Sequence, residues 1–171
     1  MLLLSDFKLF GELAKPVDWG TVRSHIAEMK TALTLGWREW VDLPELGLFA
    51  IKAKVDTGAR TSALHAFELR EFEESGKARV EFKMHPNQRD AETVVVCTAD
   101  VKDKRIVRDS GGHSEERCVI ETPVRIGEDS WPIELTLTSR DDMLFRMLLG
   151  RTAMRDRAIV NPSRSYLTGK P

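Results

Sequence analysis

Residues 48–59 read Leu-Phe-Ala-Ile-Lys-Ala-Lys-Val-Asp-Thr-Gly-Ala. The first eight of these residues alternate in character and are rich in β-forming side chains, which predicts a strand. Asp56, Thr57 and Gly58 follow directly, and this composition is typical of a tight turn. The stretch therefore predicts a strand that ends by presenting the Asp56 carboxylate at a sharp turn.

A carboxylate at such a turn can perform acid–base chemistry when a second carboxylate faces it. Two carboxylates about 3 Å apart cannot both ionise, so they share one proton. The ionised group can take a proton from water, while the protonated group donates to a carbonyl oxygen. In this interpretation Asp56 is catalytic, the Thr57 hydroxyl bonds to the facing loop, and Gly58 lets a backbone N–H approach the carboxylate. Ala59 is small enough to pack tightly beside them.

The chain contains one further tripeptide of this kind, Asp109-Ser110-Gly111. Its neighbours are polar and no apolar strand leads into it, so we interpret it as a hairpin tip or loop. A single catalytic aspartate in a chain of this size implies that the second comes from a symmetric copy. We therefore expect a homodimer with the site on its two-fold axis.

A second motif, Met-Leu-Leu-Gly-Arg at 147–151, places Gly150 94 residues after Asp56 (150 − 56). The two motifs together resemble the retropepsin pattern of retroviral proteases. In that pattern an apolar-apolar-glycine strand crosses behind the catalytic loop and leads into a short helix. The resemblance implies that Ala59, Leu149, Gly150 and Arg151 support the active loop.

More narrowly, the chain resembles a bacterial family of retropepsin-like aspartic proteases, often labelled ATP-dependent zinc proteases. The resemblance covers roughly Leu35 to Gly169. Its matching segments are 36–41, 43–47, 52–66, 134–140, 145–154 and 165–167. It implies an aspartic-type peptidase, a hydrolase acting on a protein or peptide. Some relatives lie beside an ATP-grasp ligase that adds glutamates to a ribosomal protein, which implies a possible partner of that kind.

The label of that family does not agree with the chemistry of this chain. A Gly-rich phosphate loop ending in Lys-Ser/Thr and a His-Glu-x-x-His motif are both missing from the sequence. Cys97 and Cys118 are too far apart for a zinc knuckle. We therefore expect neither ATP nor zinc, and no other cofactor.

Length and composition set the class of protein. The chain has 171 residues, a formal net charge of −1 and two cysteines. This length can bury a core without disulfides, and the cysteine usage fits a reducing cytoplasm. The charge gives no general attraction to nucleic acid or anionic membrane, and no apolar run is long enough to span one.

Two domains are expected: an N-terminal helical extension over 1–34 and a retropepsin-like β domain over 35–171. Asp18 can cap a helix over 19–33, where apolar residues recur at helical spacing. Met29 is an equally good candidate for the true start of the protein. Both interpretations remain open at this stage.

The second domain is predicted to be mainly β, a closed or half-closed acid-protease barrel with one short C-terminal helix. The expected strands are 36–43, 48–56, 62–73, 78–85, 92–101, 105–109, 116–126, 130–139 and 146–149. The helix is expected over 152–157. An insertion relative to the retroviral enzymes is expected within 68–104.

A peptide held over Asp56 needs a flap, and the best candidate is 102–115. Arg108, Ser110, Gly111 and Gly112 would form its tip, and the paired glycines would allow hinge motion. A solvated hairpin is equally consistent with its alternating charges.

Several other residues have two interpretations. Arg60 and Arg151 flank the two motifs and either clamp a substrate carboxylate or pair with acids such as Glu39, the second being favoured. His65 and Cys97 are predicted to be packed rather than reactive. The whole domain is either a dimeric aspartic endopeptidase or a barrel that keeps the Asp-Thr-Gly geometry as a binding or regulatory module.

Overall fold

The computed structural model describes residues 32–88, 90, 92–108, 112–139 and 144–169. These residues are mainly β-structure with one short helix, as the sequence predicted. The helix expected over 19–33 lies outside the described residues except at Ala32 and Leu33, and Leu33 begins a strand. Within the described part of the chain, no helix combines the length and apolar character required to cross a membrane.

The elements follow one another in a simple order. They are β1 (Leu33–Gly36), β2 (Arg38–Leu43), β3 (Leu48–Asp56), β4 (Ser62–His65), β5 (Phe67–Glu74), β6 (Lys77–Met84), β7 (Val95–Arg108), β8 (Ser114–Ile126), β9 (Asp129–Thr138), β10 (Met147–Gly150), helix α1 (Arg151–Met154) and β11 (Ala158–Asn161), with a 3₁₀ turn at Pro44–Leu46 between β2 and β3.

Nine strands form one sheet in the order β2-β3-β10-β4-β9-β8-β7-β6-β5. A further pairing of β2 with β8, at Asp42 and Arg125, closes the first six of these strands into a ring. An ion pair of 2.6 Å between the same two side chains supports the closure. Outside the ring, β7 continues into the β5–β6 hairpin, and β1 pairs with β11 in a separate parallel sheet.

The core lies inside the ring because alternate residues of each strand point inward. Ile51, Ala53 and Val55 of β3 are buried, as are Leu135 and Leu137 of β9. The inward face of β6 also joins this core, through Val80, Phe82 and Met84. The alternation that predicted strands from the sequence is therefore the pattern of burial.

The predicted strand bounds were correct for β3 and needed correction elsewhere. The two strands expected at 92–101 and 105–109 are one, β7, because its charged middle has a register shift against β8 rather than a break. The strand expected over 62–73 divides at Ala66 into β4 and β5. Helix α1 occupies 151–154 rather than 152–157, since β11 follows closely, and β11 itself was not predicted.

Candidate active site

Asp56 lies at the end of β3, where the backbone turns around its carboxylate. The N–H groups of Gly58 and Ala59 donate to Oδ1 at 2.9 Å and 3.1 Å. Thr57 and Gly58 are exposed, whereas Asp56 is half-buried. No donor among the described residues reaches Oδ2. One oxygen of the carboxylate is therefore held by the turn, and the other remains available to a water molecule or a second carboxylate.

Strand β10 crosses directly beside this turn. It runs parallel to β3 with Gly150 in register with Asp56, and the Gly150 N–H donates to Ser62 Oγ at 3.0 Å. A Cβ on Gly150 would lie 2.6 Å from the carbonyl carbon of Thr61 and 2.8 Å from the Ser62 nitrogen. Backbone atoms cannot rotate out of the way, so only glycine fits here. Leu149, one residue earlier, is fully buried.

The start of helix α1 fixes the loop that follows Asp56. The Arg151 N–H donates to the Ala59 carbonyl at 2.9 Å, and the Thr152 N–H donates to the Arg60 carbonyl at 3.0 Å. The first N–H groups of a helix have no partner within the helix, so these bonds satisfy both elements at once. Arg151 thus supports the loop through its backbone, while its side chain is exposed.

The Asp56 turn opens onto a cleft of about 1040 Å³ between the loop and the β7–β8 hairpin. Four arginines and two carboxylates contribute to its wall. The lining residues are Asp56, Gly58, Ala59, Arg60, Thr61, Ala63, Arg105, Ile106, Val107, Arg108, Arg117, Glu134, Thr136 and Leu148. The cleft therefore carries more positive than negative side chains.

One end of the cleft is an ion-pair network at the base of the hairpin. Arg105 binds Glu134 through two nitrogens, at 2.5 Å and 3.1 Å, and Lys102 contacts the same carboxylate at 3.1 Å. The hydrogen bonds from Arg105, and secondarily from Lys102, lower the pKa of Glu134 to about 2. The same carboxylate, with Asp103, raises the pKa of Arg105. These groups fix β7 to β9 and stay charged.

The other arginines of the cleft differ in how far they are neutralised. Arg117 is nearly buried and contacts Glu115 at 2.8 Å. Arg60 and Arg108 are exposed, and neither forms an ion pair within the described residues. Arg108 Nε donates to Ser114 Oγ at 3.5 Å, and both guanidinium groups line the same cleft as Asp56, so they are candidates to bind an anionic ligand there.

The predicted flap residues are only partly described. Arg108 lines the cleft at the end of β7, and Gly112 has a left-handed φ of 87° shortly before β8 begins. Ser110 and Gly111 lie outside the described residues.

Within the described residues, neither Arg60 nor Arg151 forms the ion pair expected for it. Glu39 is fully buried and is occupied instead by the N–H groups of Gly36 and Leu167, at 2.6 Å and 2.9 Å. Glu45 and Asp156 also form no ion pair with these arginines in the described part of the chain. For Glu39 the expected pairing is replaced by backbone donors; for Arg60 and Arg151 in general it stays a prediction.

The remaining singled-out side chains are packed. His65 is buried, with its ring centroid 6.4 Å from that of Phe67. Cys97 is buried beside the Leu46 carbonyl at 3.4 Å, and burial raises the pKa of its thiol to about 11. A thiol of that kind stays protonated and unreactive at neutral pH. The described residues contain no cluster of three or more histidine, cysteine or acidic side chains that could hold a metal ion.

The sequence analysis did not single out three polar residues of the cleft, Arg117, Glu134 and Thr136, whereas Arg105 lies within the range 102–115 predicted as the flap. Arg117 belongs to β8 and the other two to β9, and they reach the Asp56 side of the sheet because β8 pairs with β9 and β9 pairs with β4. Local motifs carry no information on that register. The alternation of polar residues on β9, with Glu134 and Thr136 two positions apart, was the one signal that they share a face.

A tight Asp-Thr-Gly turn backed by a Leu-Leu-Gly strand, in a mainly β fold, defines the retropepsin-like class of protein. The chain belongs to the RimB-like family, described as the retropepsin-like aspartic endopeptidase RimB, whose model matches residues 34–171. This match confirms the resemblance inferred from the sequence.

Several similar proteins carry a different name. "Probable alpha-L-glutamate ligase" proteins of Desulfotalea psychrophila and Shewanella pealeana are 49% and 45% identical over 136 residues, which are 80% of this chain. One from Parasynechococcus marenigrum is 47% identical over 141 residues, 82% of this chain. The chain spans less than a third of these relatives, 29% and 30% of the first two and 30% of the third.

A solved structure also resembles this fold. The crystal structure of a Legionella pneumophila protein of unknown function has a TM-score of 0.67 and 25% identity. The match covers 80% of this chain and 98% of that one.

Proposed function

We propose that this chain is an aspartic endopeptidase that works as a cytoplasmic homodimer, with one Asp56 from each subunit. The observation that carries the proposal is the Asp56 turn, which holds Oδ1 with two N–H groups, leaves Oδ2 without a donor among the described residues, and lines the cleft. One carboxylate cannot both activate water and protonate a carbonyl in the same step. Two facing Asp56 groups sharing a proton can divide these tasks.

In the proposed reaction, the ionised carboxylate takes a proton from water as the water oxygen attacks the scissile carbonyl carbon. The protonated carboxylate gives its proton to the carbonyl oxygen, and a neutral tetrahedral diol forms. Collapse of the diol breaks the C–N bond, one hydroxyl proton returns to a carboxylate, and the leaving nitrogen is protonated by the other. The products are a carboxylic acid and an amine, and the pair again holds one proton.

The charge of the cleft favours acidic peptides as substrates. Arg60 and Arg108 lack an ion pair within the described residues, and guanidinium groups bind carboxylates through paired hydrogen bonds. The glutamate ligase name of the relatives agrees with a glutamate-bearing peptide. We therefore propose that glutamate side chains flank the scissile bond.

The decisive test measures cleavage of a glutamate-rich peptide library by wild-type protein and by Asp56→Asn. The variant is isosteric but lacks the shareable proton, so we expect no cleavage and unchanged circular dichroism. Asp156→Asn is the matched control, because Asp156 is exposed with a left-handed φ of 60° that asparagine also adopts. Cleavage by folded Asp56→Asn at the wild-type rate would overturn the proposal.

The dimer has its own test, a titration of wild-type protein with Asp56→Asn. If each site needs an Asp56 from both subunits, only dimers of two wild-type subunits cleave. An equal mixture then has about one quarter of the activity of wild-type protein at the same total concentration. A mixture that retains one half would contradict a shared site. Sedimentation at the assay concentration checks that the subunits associate and exchange.

A second candidate is a regulatory module that acts on a glutamate ligase. It is favoured by the relatives named as ligases, of which the matching segment forms under a third. Under this alternative, Asp56→Asn would leave the effect of the chain on a purified ligase unchanged. A loss of that effect in Asp56→Asn would favour the peptidase.

A further inference from the structure

A row of aromatic and cationic side chains lies beside β2, away from the cleft. Its members, in spatial order, are Trp37, Arg38, Tyr166, Trp40 and Lys52, and we call them the cation–aromatic row. The Arg38 guanidinium carbon is 4.4 Å from the Trp37 ring centroid and 4.9 Å from that of Tyr166. Trp40 stacks on Tyr166 at 5.5 Å, and Lys52 Nζ lies 4.9 Å from the Trp40 ring.

The backbone holds the row in place at a cost in strain. Tyr166 has a left-handed φ of 55°, which is rare for a bulky residue. Its N–H donates to the Arg38 carbonyl at 2.9 Å, and the buried Glu39 carboxylate accepts the next N–H, that of Leu167. Strain of this kind persists where the surroundings fix a side chain in a required position.

In the part of the chain that the structure describes, the cations of the row have no acidic partner. Nine other cations of this part, on strands β5 to β8, form ion pairs: Arg70, Lys77, Arg79, Lys83, Lys102, Lys104, Arg105, Arg117 and Arg125. Within the described residues Arg38 and Lys52 form none, and neither does Lys54, which is in register with Arg38 on β3. The face formed by β2 and β3 thus carries three cations without an ion pair in the described residues, Arg38, Lys52 and Lys54, while Asp42 on the same face of β2 is already paired with Arg125.

The position of Arg38 indicates where a partner would bind. Its Nε is buried without a hydrogen-bond partner, as is Nε1 of Trp40. The terminal nitrogens of Arg38 are not among the buried unpartnered atoms, and the side chain is partly exposed. An acceptor can therefore reach the guanidinium only from solvent. Its flat faces are already covered by aromatic rings, so little rotamer entropy is lost on binding.

The row is better suited to carboxylates than to nucleic-acid bases. Base recognition by aromatic side chains requires exposed ring faces for stacking. Here the rings of Trp37, Tyr166 and Trp40 already contact cations or one another, and Trp37 also meets the ring of Phe145 at 5.9 Å. A ligand would therefore bind the cationic groups of the row rather than stack on its rings.

We propose that the cation–aromatic row, extended by Lys54, is a docking site for an acidic segment of a partner protein. None of its members lines the cleft, so it is a second site. Lys52, Lys54 and Asp56 share one face of β3, spaced about 6.6 Å apart at every second residue. A segment docked on the row would therefore approach the catalytic turn without entering the cleft.

The test measures binding of a fluorescein-labelled peptide of eight glutamates by anisotropy at low salt. All variants are made in Asp56→Asn protein, so binding is read without cleavage and independently of the proposed peptidase activity. Arg38→Gln with Lys52→Gln should weaken binding about tenfold or more. Arg60→Gln with Arg108→Gln measures the contribution of the cleft. Arg70→Gln with Lys77→Gln is the matched control, since it removes two exposed cations that are already paired.

Each outcome decides the proposal. Weaker binding in the row variant, with the control unchanged, supports it. Equal peptide affinity of the row variant and the control variant overturns it. A loss of peptide affinity in the cleft variant alone also overturns it. Tighter binding of a labelled oligouridine than of the peptide would assign the row to nucleic acid. A changed sedimentation coefficient without changed peptide binding would assign it to a second copy. If the double variant loses its fold by circular dichroism, Lys52→Glu alone gives the same comparison.

Discussion

Strand β10 has four residues and lies between β3 and β4, whereas β5 has eight residues and, among the described strands, pairs with β6 alone at the edge of the sheet. Three of the four β10 residues are buried, and none of the β5 residues is. Ion pairs connect β5 to its neighbours, such as Arg70 with Glu81 at 3.2 Å and Lys104 with Glu71 at 2.9 Å. Burial and backbone contacts therefore position β10, which lies beside Asp56, whereas ion pairs position β5, which is remote from it.

This contrast has an energetic reason. An exposed ion pair contributes about 0–1 kcal/mol, and salt screens it. A fully buried leucine contributes about 2–5 kcal/mol, and its position is fixed by close packing. A geometry that must hold a carboxylate within a fraction of an ångström therefore depends on contacts of the second kind. The four predictions below test the difference, from the largest expected effect to the smallest.

A methyl group at Gly150 should be the most damaging change. In Gly150→Ala the new Cβ meets the Thr61 and Ser62 backbone at 2.6–2.8 Å, so we expect a loss of at least about 3 kcal/mol in the free energy of unfolding. Gly76→Ala, in the β5–β6 turn, should cost about 1–2 kcal/mol, since it has open space and only an unfavourable φ of 76°. Urea denaturation measures both. Similar losses would show that β10 does not press on the loop.

Truncation of matched leucines should give the second largest difference. Leu149 on β10 is fully buried and Leu69 on β5 is 39% exposed. We expect Leu149→Ala to lower the free energy of unfolding by about 2–5 kcal/mol, and Leu69→Ala by less than about 1 kcal/mol. Thermal and urea unfolding provide the measurement. A large loss for Leu69 would mean that β5 is covered in solution by another surface.

The free energy of unfolding should depend on pH through the Glu134 carboxyl group in the wall of the cleft. Its pKa is lowered to about 2 in the folded state and is about 4.3 in an unfolded chain. Its contribution is therefore complete above about pH 4.3 and is lost as the pH falls towards 2. Allowing for screening, the free energy of unfolding of Glu134→Gln should be about 1–2 kcal/mol lower than that of wild type at pH 7. This difference should shrink as the pH falls.

Urea unfolding from pH 7 to pH 3 checks this expectation. Glu73→Gln is the control, because Glu73 on β5 forms no ion pair within the described residues. A wild-type advantage over Glu134→Gln that stays constant across this range would be inconsistent with an ionic role for Glu134.

The smallest effect is expected from the ion pair between β5 and β6. A double-mutant cycle with Arg70→Gln and Glu81→Gln should give a coupling below about 1 kcal/mol, because the two side chains are 67% and 38% exposed. The coupling should disappear in about 1 M salt. A larger, salt-resistant coupling would show that charges hold β5 as firmly as burial holds β10.

The sequence predicted the site best where structure is local. The bounds of β3 were correct because alternation and a turn composition coincide at Asp56, and the Leu-Leu-Gly motif located β10 within one residue. Short strands without alternation, such as β11, were not predicted. Charges over 102–104 concealed the continuity of β7. Within the described residues β6 pairs only with residues 95–100 of β7, so the part from 101 onward has β8 on one side alone and can be polar on both faces.

Contacts between distant parts of the chain could not be predicted. Glu39 occupies an inward position on β2, and nothing near it in the sequence indicates that its partners are backbone N–H groups at 167 and 168. The pairing of β4 with β9 brings Glu134 and Thr136 to the cleft, and that register follows from the whole sheet. The motif therefore identified the Asp56 turn, while the charge of the cleft required the structure.

The buried Glu39 carboxylate also constrains how the chain folds during its synthesis. Two of its donors, Leu167 and Thr168, are made 128 and 129 residues later. Strand β1 likewise cannot pair until β11 has been synthesised. Until residues 158–168 leave the ribosome, Glu39 must remain hydrated and the edge of β2 stays open to other chains. Burial of Glu39 thus depends on a segment made more than a hundred residues later, and only then is this edge closed to aggregation.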